Sequence, residues 1–149
     1  LMKAADIEVE NAVPAQARFD VVLSMGVIEH IAGSPKEELT RAVQHLKPGG
    51  ILILDTPNLA YYYKRQALLR GEPVLSPIAQ QFHTELPFEG HHREYTVEEV
   101  RWMLYAVGLQ DVVISVFNYS GAAETQEMRD DVTQREVIFA VGTKSGASC

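Results

Sequence analysis

Two short apolar runs, separated by one amphipathic segment, constrain the fold of this 149-residue chain more than any other feature. The runs cover residues 21–23 and 51–54, a length that suits strands covered on both faces of a parallel sheet. Between them, apolar residues recur at helical spacing, at Leu39, Ala42, Val43 and Leu46. A strand, a helix and a parallel strand form a right-handed βαβ unit, so we expect an α/β fold.

The ends of this helix have their own sequence signals. Ser34-Pro35-Lys36-Glu37 fits a capping box with proline at the first helical position. Pro48-Gly49-Gly50 is predicted to end the helix before the second strand begins.

Composition and charge limit the class of protein. With 46% hydrophobic and 22% charged residues, the chain is expected to form a single globular domain. The net charge of −7 and the lack of a basic stripe argue against a nucleic-acid partner. No apolar run approaches the length of a membrane span, so no membrane partner is expected. Cys149 is the single cysteine, which excludes an intrachain disulfide and favours a cytoplasmic location.

The pieces FDVV, IEHI, LKPGG and TPN occur in this order between residues 19 and 58. Together they resemble the class I (Rossmann-like) S-adenosylmethionine-dependent methyltransferases, where they span the fourth strand, the next helix and the fifth strand. The resemblance implies a mostly parallel sheet with an antiparallel last strand, in the order 3-2-1-4-5-7-6. The family's glycine-rich loop has no counterpart in this sequence. The resemblance therefore covers the C-terminal two-thirds of such a domain, with the N-terminal strands missing.

The resemblance also implies residues for binding S-adenosylmethionine. Asp6 would accept a hydrogen bond from the adenine amino group, with Ala5 and Ile7 beside the ring. After the fourth strand, Ser24 and Met25 are expected to contact the methionine and ribose side, and Glu29 to border the cofactor pocket beside the acceptor. The alternatives are that Asp6 caps a turn or faces solvent, and that Met25 fills the core.

His30 is the candidate catalytic residue, because an imidazole with an ordinary pKa near neutrality could take a proton from an acceptor hydroxyl. A structural role for His30 remains open. Asn58 follows the fifth strand and is expected either to touch the acceptor or to cap the helix predicted after it, over residues 59–70.

Residues 71–90 form an irregular, proline-rich segment that resembles the acceptor-covering insert of methyltransferases. The sequence GHHREYT follows, and we interpret His91, His92 and Arg93 as acceptor contacts or loop anchors. No cysteine or acidic ligand set at metal spacing accompanies the adjacent histidines, so no metal site is expected.

The C-terminal part begins with a second predicted capping box, Thr96 to Glu99, followed by a helix that ends at Gly108. Residues 111–118 and 136–142 are strand-like, and the polar segment 120–134 between them is predicted to be a solvated linker. We divide the single partial domain, 1–149, into a cofactor-side part (1–58), an acceptor-covering insert (59–95) and a C-terminal helix with a strand pair (96–144).

These observations predict methyl transfer from S-adenosylmethionine to a small-molecule or glycan-type acceptor, with oxygen as the methylated atom. The alternative is a truncated, non-catalytic methyltransferase-like binding module, which the missing glycine-rich loop favours. Without the N-terminal strands one sheet edge would be exposed, so we expect either that the chain is part of a larger protein or that a homo-oligomer covers this edge.

Overall fold

A computed structural model describes residues 13–84, 88 and 90–146, and it has the α/β fold predicted from the sequence. Its strands are β1 (Phe19–Met25), β2 (Leu46–Pro57), β3 (Leu109–Phe117) and β4 (Val137–Lys144). Its α-helices are α1 (Lys36–Gln44), α2 (Tyr62–Leu69), α3 (Ile78–His83), α4 (Val97–Ala106) and α5 (Gln126–Asp130). Short 3-10 turns lie at Ile28–His30 and Val132–Gln134.

The four strands lie in the order β1-β2-β4-β3. β1 and β2 are parallel and α1 connects them, which confirms the βαβ unit. β4 pairs antiparallel with both β2 and β3, which confirms the predicted antiparallel end of the sheet. The parallel pair places the carboxyl ends of β1 and β2 side by side.

One face of the sheet packs on helices α1 and α4. Apolar side chains from both helices and from the inner strands are almost fully buried there and form one core: Leu39, Leu52, Leu54, Val100, Leu104, Ile138 and Ala140. This packing holds α1 and α4 on the same side of the sheet and fixes the loops at its edge.

β1 is covered on one face only. Its alternate side chains are exposed, with fractions of 42% for Phe19, 46% for Val21, 64% for Leu23 and 43% for Met25. The expectation that this apolar run is covered on both faces is therefore wrong for the described residues. The outer edge of β1 pairs with no strand in the described ranges, and no described helix covers this face.

The predicted boundaries of α1 are wrong at both ends. The Ser34 hydroxyl accepts from the Lys36 amide at 3.3 Å, and the N-cap position is Pro35, which has no side-chain cap bond, so the predicted capping box does not form. The helix ends at Gln44, before Pro-Gly-Gly. Lys144 satisfies carbonyl groups at this end, since its ammonium donates to the carbonyls of Val43 and Leu46 at 2.8 Å.

The Pro-Gly-Gly sequence lies inside β2 instead. Gly49 has a φ of 77°, in the left-handed region. A Cβ on Gly50 would lie 3.0 Å from the Asp20 carbonyl oxygen, so glycine allows β2 to approach β1 closely.

The second capping box is confirmed. The Thr96 hydroxyl accepts from the Glu99 amide at 3.3 Å, and the Glu99 carboxylate accepts from the Thr96 amide at 2.8 Å. Gly108, with a φ of 89°, follows the helix as predicted.

Two segments predicted to be irregular contain short helices. α3 lies in the insert, and α5 lies in the segment predicted to be a solvated linker. The linker prediction is wrong because Met128 of α5 is fully buried and anchors the segment. The helix predicted over residues 59–70 is shorter and begins at Tyr62. Across the described ranges, we find no helix that combines the length and apolar character needed to cross a membrane.

Candidate active site

Hydrogen bonds to two carboxylates, Asp55 and Glu29, connect the carboxyl ends of β1 and β2. The amide of Gly26 donates to Asp55 Oδ1 at 2.6 Å, and Gly26 has a φ of 61° that turns the chain out of β1. Three residues later Glu29 is buried, and the Thr56 hydroxyl donates to its Oε2 at 3.1 Å. A buried carboxylate therefore lies at the edge where open α/β sheets bind ligands.

The segment that follows the proline-rich residues 71–90 packs against this edge through its backbone. The amides of His92 and Arg93 both donate to the Glu29 carbonyl, at 2.8 and 3.3 Å. This contact places His91 beside His30, with the two rings edge-to-face and their centroids 4.8 Å apart. Two imidazoles from distant parts of the sequence thus meet at the strand ends.

Glu94 completes the arrangement. Its side chain is only 4% exposed, its Oε1 lies 2.9 Å from His91 Nδ1, and its Oε2 accepts from the Lys64 ammonium. Lys64 belongs to α2, and its ammonium pairs with this buried carboxylate. We call Glu29, His30, Lys64, His91 and Glu94 the site cluster.

Part of the site cluster has a spacing that suits a metal ion. Ligand atoms of Glu29, His30 and His91 all lie within 4.8 Å of one another. The sequence predicted no metal because no acidic ligand was expected beside the adjacent histidines. That premise is wrong, because the fold brings Glu29 to His91. The geometry is compatible with a cation, and we assign no ion to it.

The predicted cofactor residues near the end of β1 face different ways. The Ser24 side chain is buried, and its hydroxyl donates to Glu38 Oε1 of α1 at 3.2 Å. Met25, on the opposite face of the strand, is about half exposed at the strand end. Ser24 therefore links β1 to α1, while Met25 is available to a ligand. The predicted adenine contacts lie outside the described residues: Ala5, Asp6 and Ile7.

Asn58 is fully buried, and its side-chain amide forms hydrogen bonds within the protein. Its Nδ2 donates to the carbonyls of Thr133 and Arg135, both at 2.7 Å, and its Oδ1 accepts from the Ala60 amide at 2.9 Å. The predicted helix-capping alternative also does not hold, since the N-cap of α2 is Tyr61. Asn58 instead fixes the loop between β2 and α2.

The three residues predicted to contact the acceptor, His91, His92 and Arg93, have different partners in the structure. His91 faces Glu94, whereas His92 Nε2 lies 2.9 Å from the Phe88 carbonyl oxygen, as expected of a loop anchor. Arg93 donates to Glu99 at 2.7 Å and lines a hollow of about 700 Å³ between the start of α1 and α4. Neither His30 nor His91 lines this hollow.

Comparison with known proteins decides the family. A family profile described as a methyltransferase domain matches residues 2–114. The chain belongs to the class I S-adenosylmethionine-dependent methyltransferases.

Curated relatives in this family are named ubiquinone biosynthesis O-methyltransferases. The chain is 49% identical over 124 residues to one from Cereibacter sphaeroides, which covers 80% of this chain and 47% of the relative. It is 34% identical over 103 residues to one from Dinoroseobacter shibae, which covers 69% of this chain and 39% of the relative. The chain thus spans less than half the length of these relatives.

Solved structures agree on the fold. A methyltransferase from Thermotoga maritima, described as a possible histamine N-methyltransferase, superimposes with a TM-score of 0.59 at 17% identity. The match covers 89% of this chain and 59% of that one. At this identity the likeness concerns the fold alone.

The family's cofactor is S-adenosylmethionine, and the described residues fit part of it. The half-exposed Met25 offers apolar surface, and the turn at Gly26 brings backbone to the strand ends. The carboxylates of Asp55 and Glu29 lie at the same edge, and their negative charge suits a cationic sulfonium.

Sequence reasoning missed Glu94 and Lys64 as parts of the site. The spacing of Glu94 three residues after His91 was visible within GHHREYT. Lys64 lies in another segment, and no local pattern indicates its pairing with Glu94.

Proposed function

We propose that the full-length protein carrying this chain transfers a methyl group from S-adenosylmethionine to a hydroxyl oxygen of a small aromatic acceptor, of the kind that ubiquinone biosynthesis requires. The names of the relatives support the choice of oxygen and of this acceptor class. The observation that carries the proposal is the pair of imidazoles, His30 and His91, at the strand ends beside buried Glu29. A phenolic hydroxyl is a weak nucleophile, so a nearby group that takes its proton accelerates the transfer.

S-Adenosylmethionine, when bound, supplies a methyl group that is already activated on a sulfonium. The chain then has to position the acceptor oxygen in line with that methyl group and to remove the hydroxyl proton. We assign Met25 and the backbone of Gly26 to cofactor binding, with Glu29 on the same side. His30, as predicted, and His91 are the imidazoles that face the acceptor.

Several further expectations belong to this proposal. Residues 1–58 form the cofactor-side part, residues 59–95 the acceptor-covering insert, and residues 96–144 the C-terminal helix with its strand pair. The protein is cytoplasmic and has no nucleic-acid or membrane partner. β1 has exposed apolar side chains on one face and an unpaired outer edge among the described residues. Both features support the expectation that a second copy, or another part of the full-length protein, covers β1.

Calorimetry with S-adenosylhomocysteine, combined with radiolabelled methyl transfer to a catechol, tests the proposal on the full-length protein. We expect binding and transfer to the catechol oxygen. Transfer only to a glycan would refute the acceptor class. The absence of binding would refute the enzyme and favour a methyltransferase-like binding module.

A further inference from the structure

The carboxylate of Glu94 lies between two groups that can carry positive charge. Its side chain is 4% exposed, against 22% for Lys64 and 31% for His91. A carboxylate removed from water to this extent is costly unless its oxygens are paired. Lys64 takes Oε2 and His91 takes Oε1, so each oxygen has a separate partner.

This arrangement fixes the state of the His91 ring. An ionised carboxylate can only accept hydrogen bonds, so the contact at 2.9 Å requires the proton to be on His91 Nδ1. In the neutral ring Nε2 then carries the lone pair and is the nitrogen that can take a proton. The bond from the His92 amide to the Glu29 carbonyl, 2.8 Å long, keeps this ring beside His30.

We infer that His91 is the imidazole that takes the acceptor proton and that Glu94, with Lys64, is its positioning residue; this inference rests on the proposed function. The acceptor oxygen forms a bond to the methyl carbon while the carbon–sulfur bond breaks, and the electron pair stays on sulfur. The hydroxyl proton goes to His91 Nε2. Lys64 lies on α2, within the predicted acceptor cover, so this cover contributes to the orientation of the ring.

Glu94→Gln in the full-length protein tests the inference. Glutamine has the same shape, but Lys64 can only donate, so the amide oxygen is expected to face Lys64 and the amide NH2 group to face His91 Nδ1, which no longer favours a proton on Nδ1. We expect kcat to fall about tenfold or more, as when a histidine loses the carboxylate that sets its tautomer. The KM values and the affinity for S-adenosylhomocysteine should stay within about threefold, because Glu94 is inferred to act only through His91.

Two other variants make the result specific. Glu98→Gln is the matched control, since this side chain lies in the next helix and is 80% exposed, and it should leave kcat unchanged. Lys64→Gln removes the charge that fixes Glu94 and should give a smaller fall in kcat than Glu94→Gln. If neither Glu94→Gln nor Lys64→Gln lowers kcat, or if they lower only the melting temperature, the inference is wrong. A fall in kcat of about tenfold or more in His30→Ala, without any fall in Glu94→Gln, would place the base at His30 and would also refute the inference.

Nitrogen-15 spectra of the histidine rings provide a readout that does not depend on activity. We expect wild-type His91 to show the proton on Nδ1, and Glu94→Gln to show a larger share of rings with the proton on Nε2. A wild-type ring with its proton on Nε2 would overturn the inference. If the protein binds no S-adenosylhomocysteine while the ring keeps the expected tautomer, the proposed function fails and the positioning by Glu94 stands.

Discussion

Glu94 and Glu38 are two carboxylates that point into the protein, but their partners differ. Glu94 is paired with Lys64 on one oxygen and His91 on the other. Glu38 accepts one bond from the Ser24 hydroxyl, and its buried Oε2 has no hydrogen-bond partner among the described residues. Burial raises the pKa of Glu38 above its ordinary value of 4.5, only partly offset by Ser24. The contrast shows that partners determine whether a buried carboxylate can orient another group.

The largest expected effect comes from removing the ring that Glu94 holds. His91→Ala should lower the rate of methyl transfer about a hundredfold, because the acceptor proton loses its imidazole. Single-turnover transfer to a catechol measures this rate.

His92→Ala is the matched control for that experiment. His92 contacts the Phe88 carbonyl and the Phe88 ring, so its loss should loosen the loop and change the rate by less than about threefold. Equal losses in the two variants would contradict the assignment of His91 over His92.

The second prediction concerns Glu38 and has a defined dependence on pH. The pKa of the Glu38 carboxyl is higher in the folded state than in the unfolded chain. As pH rises, the unfolded chain therefore loses this proton at a lower pH than the folded protein does. The carboxyl therefore destabilises the folded state increasingly above about pH 4.5, the unfolded value. Glu38→Gln should raise the free energy of unfolding by about 1 kcal/mol at neutral pH and leave it unchanged in acid.

Denaturant unfolding at several pH values measures this effect. Glu37→Gln, an exposed neighbour on the same helix, is the control and should have little effect at any pH. A stability gain for Glu38→Gln that is the same at all pH values would contradict burial of an ionised carboxylate as its cause.

The third prediction concerns the capping box of α4. Glu99 forms the capping box with Thr96 at the start of α4. Thr96→Ala should lower the free energy of unfolding by about 1 kcal/mol and leave the transfer rate unchanged, while Thr96→Ser should retain most of the stability. A loss of rate without a loss of stability would place Thr96 in the active site.

The smallest effect is expected for Arg93→Gln. Its ion pair with Glu99 is exposed on both sides, at 63% and 39%, and such pairs contribute at most about 1 kcal/mol. We expect little change in unfolding or in kcat. A rise in the KM of the acceptor would instead support the contact predicted for Arg93 from the sequence.

Local patterns predicted much of the fold. The apolar runs of β1 and β2 and the helical spacing between them defined the βαβ unit, and Thr96 and Glu99 predicted the cap of α4, because each feature depends on residues close in sequence. The position of Pro-Gly-Gly was not predictable in this way. Its role depends on the close approach of Gly50 to β1, which is a contact between strands.

The site was predictable only in part. The segments IEHI and GHHREYT were recognised, and the structure brings His30 and His91 together. The pairing of Lys64 with Glu94 and the direction of Ser24 toward Glu38 depend on tertiary packing. A sequence pattern shows which residue types are present, but it does not show which face of a strand or helix meets the ligand.

The most direct test of the role of Glu94 compares the full-length wild-type protein with Glu94→Gln in one pair of assays, S-adenosylhomocysteine binding and single-turnover methyl transfer to a catechol. We predict equal binding by both proteins and transfer that is about tenfold or more slower in the variant. Equal transfer rates would contradict the role of Glu94, and a wild-type protein that binds no S-adenosylhomocysteine would contradict the methyltransferase function itself.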